Sequence, residues 1–136
     1  MLKDKEEELI KACQEAKRFS YSPYSKFPVG AAILGSNGKI YKGANIENVS
    51  YPVGACAELN TIAGMIMDGE RSIVAVAVSS NMEDFLTPCG KCRQSLVEFC
   101  EKGKIVPVYL VSNSGKVKKT TLDVLLPMAC NISFTE

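Results

Sequence analysis

The run SIVAVAVSS, residues 72–80, restricts the architecture more than any other stretch of this chain. Its apolar residues are nearly continuous, so it reads as a short strand whose two faces are both covered, not as one with a wet side. A sheet built around such a strand needs a layer of structure on each face. The rest of the chain offers those layers. Leu9, Ala12, Cys13, Ala16 and Phe19 recur at helical spacing, and that stripe ends near SYSPYS, where proline and serine favour an irregular path. FPVGAAILGSNGKIYKGANI reads as two strands about a turn containing Asn37-Gly38. One helix is expected from about Cys56 to Met67 and another from Cys89 to about Lys102, with Leu96, Val97 and Cys100 on its inner side. IVPVYLVS and KVKKTTL form a strand pair around NSG, and LDVLLPMA a short closing helix. The expected fold class is α/β, a mixed five-stranded sheet sandwiched between helices.

A chain of 136 residues with 46% hydrophobic residues has enough apolar material for one sizeable core, so a single domain over 1–136 is expected. No repeat, low-complexity tract or linker interrupts it. The start, MLKDKEEELIK, is charged throughout, and no apolar run approaches the roughly 20 residues that cross a bilayer; the expectation is a cytoplasmic protein without a membrane partner. Lysine plus arginine is 16 against 15 acids, spread without interleaved aromatics, which argues against nucleic acid as a partner. Lys116, Lys118 and Lys119 follow the NSG turn and read as a solvated hairpin edge. The six cysteines are an even number, but with no secretory segment ahead of them reduced thiols are favoured over a disulfide framework.

Two cysteine clusters carry the chemistry: GACAELNTIAG, residues 54–64, and TPCGKCRQ, residues 87–94. Both fall where a helix begins, and free N–H groups and the helix dipole there favour a thiolate, the form that binds zinc. Cys89 and Cys92 have C-x-x-C spacing, and Cys56 could add a third sulfur from the other helix, leaving a fourth position open as in catalytic zinc sites. The chain has no histidine, which excludes imidazole-dependent proteases and His-ligated zinc sites. A proton shuttle near neutral pH must then be a carboxylate, and Glu58 is the candidate. It reaches the metal position only if Cys56 sits at the irregular helix entrance; the plain alternative is an acid in a helix's first turn.

CAE together with PCGKC resembles the signature of zinc-dependent nucleoside deaminases, and KFPVGAA, GANIENVSYP and LLP are similar to the small homotetrameric cytidine deaminases along most of the chain. The resemblance implies that Cys56, Cys89 and Cys92 bind Zn2+, which activates a water for attack on C4 of the cytosine ring, with Glu58 shuttling protons and ammonia departing. It implies cytidine and deoxycytidine as nucleoside substrates, in pyrimidine salvage. Asn45 and Glu47 would hold the ribose hydroxyls, Phe27 would lie against the pyrimidine, and backbone groups of Ala57 and Thr87 would meet the base edge. Taken alone, Phe27 reads equally as core, Asn45 as a turn residue and Glu47 as a solvated charge. The resemblance also implies a homotetramer, with Tyr51 at a subunit contact.

The sequence departs from that family pattern twice. The family usually has arginine directly after CAE, donating to the thiolates; here Leu59 stands there, as in blasticidin-S deaminase, and Arg93 is the candidate substitute donor. Two places after LLP the family commonly has an aromatic that closes a neighbouring subunit's site; here Cys130 is near that place and Phe134 is displaced. Three other readings stay open. One is a related nucleoside or nucleoside-antibiotic deaminase. Another is a thiol oxidoreductase using Cys89 and Cys92. The last is a closed structural zinc module with Cys13, Cys100 or Cys130 as fourth ligand.

Overall fold

The computed structural model describes residues 2–131. In chain order its elements are α1 (Leu2–Ala16), β1 (Val29–Gly35), β2 (Ile40–Ala44), α2 (Ala57–Met67), β3 (Ile73–Ser80), α3 (Gly90–Val97), β4 (Pro107–Val111), β5 (Val117–Thr121) and α4 (Leu122–Leu125). Single 3-10 turns lie at Lys17–Phe19 and Tyr51–Val53. The strands form one sheet in the order β2-β1-β3-β4-β5. The apolar run that demanded cover on both faces is therefore its middle strand. β3 pairs in parallel with β4 and antiparallel with β1, so the sheet is mixed as expected. The parallel step needs a crossover, and α3 supplies it.

Alternation along the strands separates two cores. Ala31, Ile33, Val76, Val78, Val108 and Leu110 face α2, α3 and α4. Ala32, Leu34, Ala75, Ala77, Tyr109 and Val111 face α1, where they meet Leu9, Ala12 and Cys13. Small residues on the α1 side let that helix lie close. At Gly30 a Cβ would stand 2.2 Å from the Cys13 carbonyl oxygen, so no larger residue fits beneath α1. Gly43 does the same for α2: a Cβ there would meet Thr61 Oγ1 at 2.6 Å and the Thr61 backbone nitrogen at 2.8 Å. Asn60 Nδ2 donates to the Ala44 carbonyl at 2.8 Å and fixes α2 along the same strand.

Two helix ends differ from expectation. α3 stops at Val97 instead of running to about Lys102, because Phe99 leaves the helix to accept a 2.9 Å bond from Ile73 N–H, and Cys100 then bridges to Ile73 at the start of β3. The bonds from Phe99 and Cys100 to Leu96 and Val97 are three residues long, the usual tightening of a last turn. α4 ends at Leu125, since Leu126 precedes Pro127 and is pushed out of the helical region to φ −137°, ψ 75°.

Candidate metal centre and its pocket

Both cysteine clusters stand at helix entrances. Cys56 (φ −71°, ψ 155°) caps α2 and Cys89 (φ −68°, ψ 169°) caps α3, each in extended backbone, and neither helix has a side-chain cap on its free N–H groups. Those open ends turn partial positive charge toward the sulfurs. Cys92, one turn into α3, is buried, Cys56 is half-buried and Cys89 is exposed. The three Sγ atoms lie within 4.8 Å of one another, with Cys89 and Cys92 at 3.5 Å. In a tetrahedron of bonds about 2.3 Å long, sulfurs stand about 3.8 Å apart, so this set fits a zinc ion with small adjustments and one position left over. A soft, all-thiolate set suits zinc above magnesium or calcium.

None of the other cysteines among the described residues joins this group. Cys13 lies across the sheet and donates to Ile10 O, Cys100 donates to Leu96 O, and Cys130 is exposed near the end of the described chain. A closed four-sulfur module does not form.

Glu58 is 5% exposed, which answers how a residue two places from Cys56 can share its site: the cysteine is outside the helix and the glutamate turns inward. Burial pushes its carboxyl above the ordinary value, against the pull of its own backbone N–H and the Cys92 thiol. The thiols differ. Burial raises Cys56, and burial with the Glu58 charge raises Cys92 strongly. At Cys89 burial is outweighed by bonds from Cys92 N–H and the other two thiols, so its thiol is the most acidic of the set.

A cavity of about 320 Å³ opens onto Cys56 and is lined by Tyr24, Ser25, Asn45, Glu47 and Tyr51 among others. The Glu47 carboxylate accepts from the Tyr24 and Ser25 N–H groups at 3.1 Å and from the Ser25 hydroxyl, and these bonds, the hydroxyl's first, hold it below the usual range. Asn45 is more committed. Its Oδ1 accepts from Val29 N–H at 2.9 Å and from Ser20 Oγ, and its Nδ2 donates to Phe27 O at 2.9 Å, which leaves one N–H for a ligand. Tyr51 is 74% exposed and meets Tyr24 edge-on at 6.0 Å.

Three residues expected near the base do not line this cavity. Phe27 packs on the core facing α2, Ala57 is buried in that core, and the Thr87 hydroxyl accepts from Arg93. Arg93 itself overturns an expectation. Its Nε, Nη1 and Nη2 donate to Pro88 O, Leu125 O and Thr87 Oγ1, with no bond to a thiol, because the guanidinium turns from the sulfurs toward α4. Leu59, half-buried on α2, supplies no donor either. Phe134 lies outside the described residues. Tyr24 and Ser25 were missed as lining residues. Their signal was the Pro-Tyr-Ser turn, held by Lys26 at a left-handed φ of 57°.

The family model described as the cytidine and deoxycytidylate deaminase zinc-binding region matches residues 3–108. A cytidine deaminase of Sporosarcina psychrophila is 46% identical over 90% of this chain and 89% of its own length. One from Halalkalibacterium halodurans is 40% identical over 89% of this chain and 90% of its own. Among solved structures, a cytidine deaminase from Burkholderia pseudomallei superimposes with a TM-score of 0.84 at 36% identity, covering 91% of this chain and 98% of that one. Matching fold, matching sequence over nearly the whole length and a three-thiol centre agree, and the chain belongs to the family of zinc-dependent cytidine and deoxycytidylate deaminases.

Proposed function

We propose that this chain, acting as one domain over 1–136, hydrolyses cytidine and deoxycytidine to uridine and deoxyuridine with release of ammonia. The observation that carries this is the convergence of Cys56, Cys89 and Cys92 on one point beside the buried Glu58. Zinc held by the three sulfurs supplies the Lewis acidity that makes water nucleophilic near neutral pH. Glu58 takes one proton from the attacking water and delivers it to the ring nitrogen, then carries the second to the amine at C4. The C4–N bond breaks, ammonia leaves, and the oxygen remains as the uracil carbonyl. The chain has no histidine, and among the described residues no other acid is buried to do this. Glu47 and the spare N–H of Asn45 hold the ribose hydroxyls, and the family resemblance gives the pyrimidine side to Phe27 and the Ala57 and Thr87 backbones, which lie outside the lining of the cavity in the single chain.

A homotetramer fits the exposed apolar residues at the cavity mouth, where Ile46, Val49, Tyr51 and Val53 are each more than half exposed in the single chain. Tyr51 is assigned to that contact. A free nucleoside in place of nucleic acid accords with the net charge of +1, and a cytoplasmic location and a role in pyrimidine salvage rest on the family resemblance.

The test is deamination of cytidine, deoxycytidine, adenosine and blasticidin S by zinc-loaded protein beside Glu58→Gln. Turnover of the two cytosine nucleosides is expected. In Glu58→Gln, zinc stays bound and turnover drops by about 10²- to 10⁴-fold or more. Near-parental turnover in that variant rejects Glu58 as the shuttle.

A further inference from the structure

Arg93 makes three bonds that tie two separate stretches of chain. Its Nε donates to Pro88 O at 2.7 Å, its Nη2 to Thr87 Oγ1 at 3.0 Å and its Nη1 to Leu125 O at 2.6 Å, across 32 residues of chain. The first two matter because the loop from β3 to α3 is otherwise poorly tied. Among the described residues, no hydrogen bond reaches Asp84–Pro88 except those from Arg93. Pro88 is buried and Leu86 half-buried, so packing sets the depth of this segment. The hydrogen bonds that reach it come from Arg93. The segment's next residue is Cys89.

The geometry points to Arg93 as a positioning residue that aims Cys89 Sγ at the other two sulfurs by clamping the Thr87–Pro88 segment between α3 and the end of α4. The planar guanidinium spreads its donors in a fixed fork, so one side chain can serve acceptors from two separate stretches of chain. Anchorage at Leu125 O gives the clamp a fixed side. Gln94, next along α3, donates to Cys130 O at 2.9 Å and holds the following part of the tail without touching the cysteine loop. The inference rests on Cys89 being a metal ligand, as proposed above.

The test uses cobalt(II) in place of zinc, whose absorption bands report thiolate number and geometry, together with zinc release to a chelator, in the parent, Arg93→Ala, Arg93→Lys and Gln94→Ala. Loss of a group that orients a ligand typically costs about 10- to 100-fold in metal affinity or activity. Arg93→Ala and Arg93→Lys are expected to show altered cobalt bands and to lose affinity for zinc in that range, with kcat falling more than KM rises. Lysine keeps the charge and the stem but brings a single ammonium to three acceptors, so it tests the clamp even where the alanine variant does not fold. Gln94→Ala is expected to keep the parental bands. Parental bands and zinc affinity in Arg93→Lys, or an equal disturbance in Gln94→Ala, overturn the assignment. A parent that binds no cobalt through the three thiols overturns the metal-ligand reading and this inference with it.

Discussion

Gly43→Ala is the sharpest test of how the fold places the site. The new Cβ would stand 2.6 Å from Thr61 Oγ1, 2.8 Å from Thr61 N and 3.1 Å from Ala57 O. Carbon needs about 3.5 Å, so the backbone contact at Thr61 N falls short by about 0.7 Å. β2 is an edge strand, paired only with β1. The displacement divides between that strand and the first turn of α2, and the turn moves by about 0.4 Å if they share it equally or about 0.7 Å if it moves alone. That turn carries Glu58 and follows directly on Cys56. Overpacking of this kind costs about 1 to 3 kcal/mol of stability, and a misplacement near 1 Å can cost about 100-fold in rate. The expected outcome is a drop of roughly 10- to 100-fold in kcat/KM with a lowered Tm. The assay is steady-state cytidine deamination beside thermal unfolding, on Gly43→Ala with and without Thr61→Ala. Removing the Thr61 side chain relieves only the contact with its oxygen, so the double variant should stay impaired. Parental activity and Tm in Gly43→Ala, or full rescue by Thr61→Ala, would refute the claim that backbone against backbone sets the height of α2.

Two further outcomes follow from the thiols. Burial pushes Cys13 from 9.0 to about 12, so the fold favours its neutral form. The unfolded chain loses that proton first; the stability is whole below about pH 9 and is lost as pH climbs toward 12, by about 2 kcal/mol at pH 10.5. Urea midpoints at about pH 8 and about pH 10.5 should show this slope, and Cys13→Ala should reduce it; an unchanged slope in that variant removes Cys13 as a source. Tyr109, raised from 10.0 to about 12 by burial and its bond to Glu6, adds loss of the same sign. In metal-free protein, iodoacetamide should label Cys89 before Cys56 and Cys92, read by peptide mass spectrometry, and zinc should block all three. Reversible Cys89–Cys92 disulfide exchange in zinc-loaded protein would instead favour a redox role.

The layered fold was legible because its signals are local: unbroken apolar strands, Asn37-Gly38 at a turn, helical stripes ending at proline. The three cysteines and Glu58 were legible for the same reason, as two short motifs at helix starts. What escaped depends on distant partners. The early end of α3 is decided by Ile73, which lies before the helix in sequence and claims the Phe99 carbonyl. Arg93 stood as the candidate substitute for the family arginine missing at Leu59, yet its direction is set by Leu125 O, an acceptor no spacing rule names. Phe27 could equally face core or cavity, and only its packing against the core cluster on that side of the sheet decides.

The graded depth of the three sulfurs orders their exposure to reagents in solvent. Cys89 is exposed, Cys56 is half-buried beside the cavity and Cys92 is buried. An oxidant arriving from solvent therefore meets Cys89 before Cys92, and losing that sulfur would leave two thiols where the centre has three.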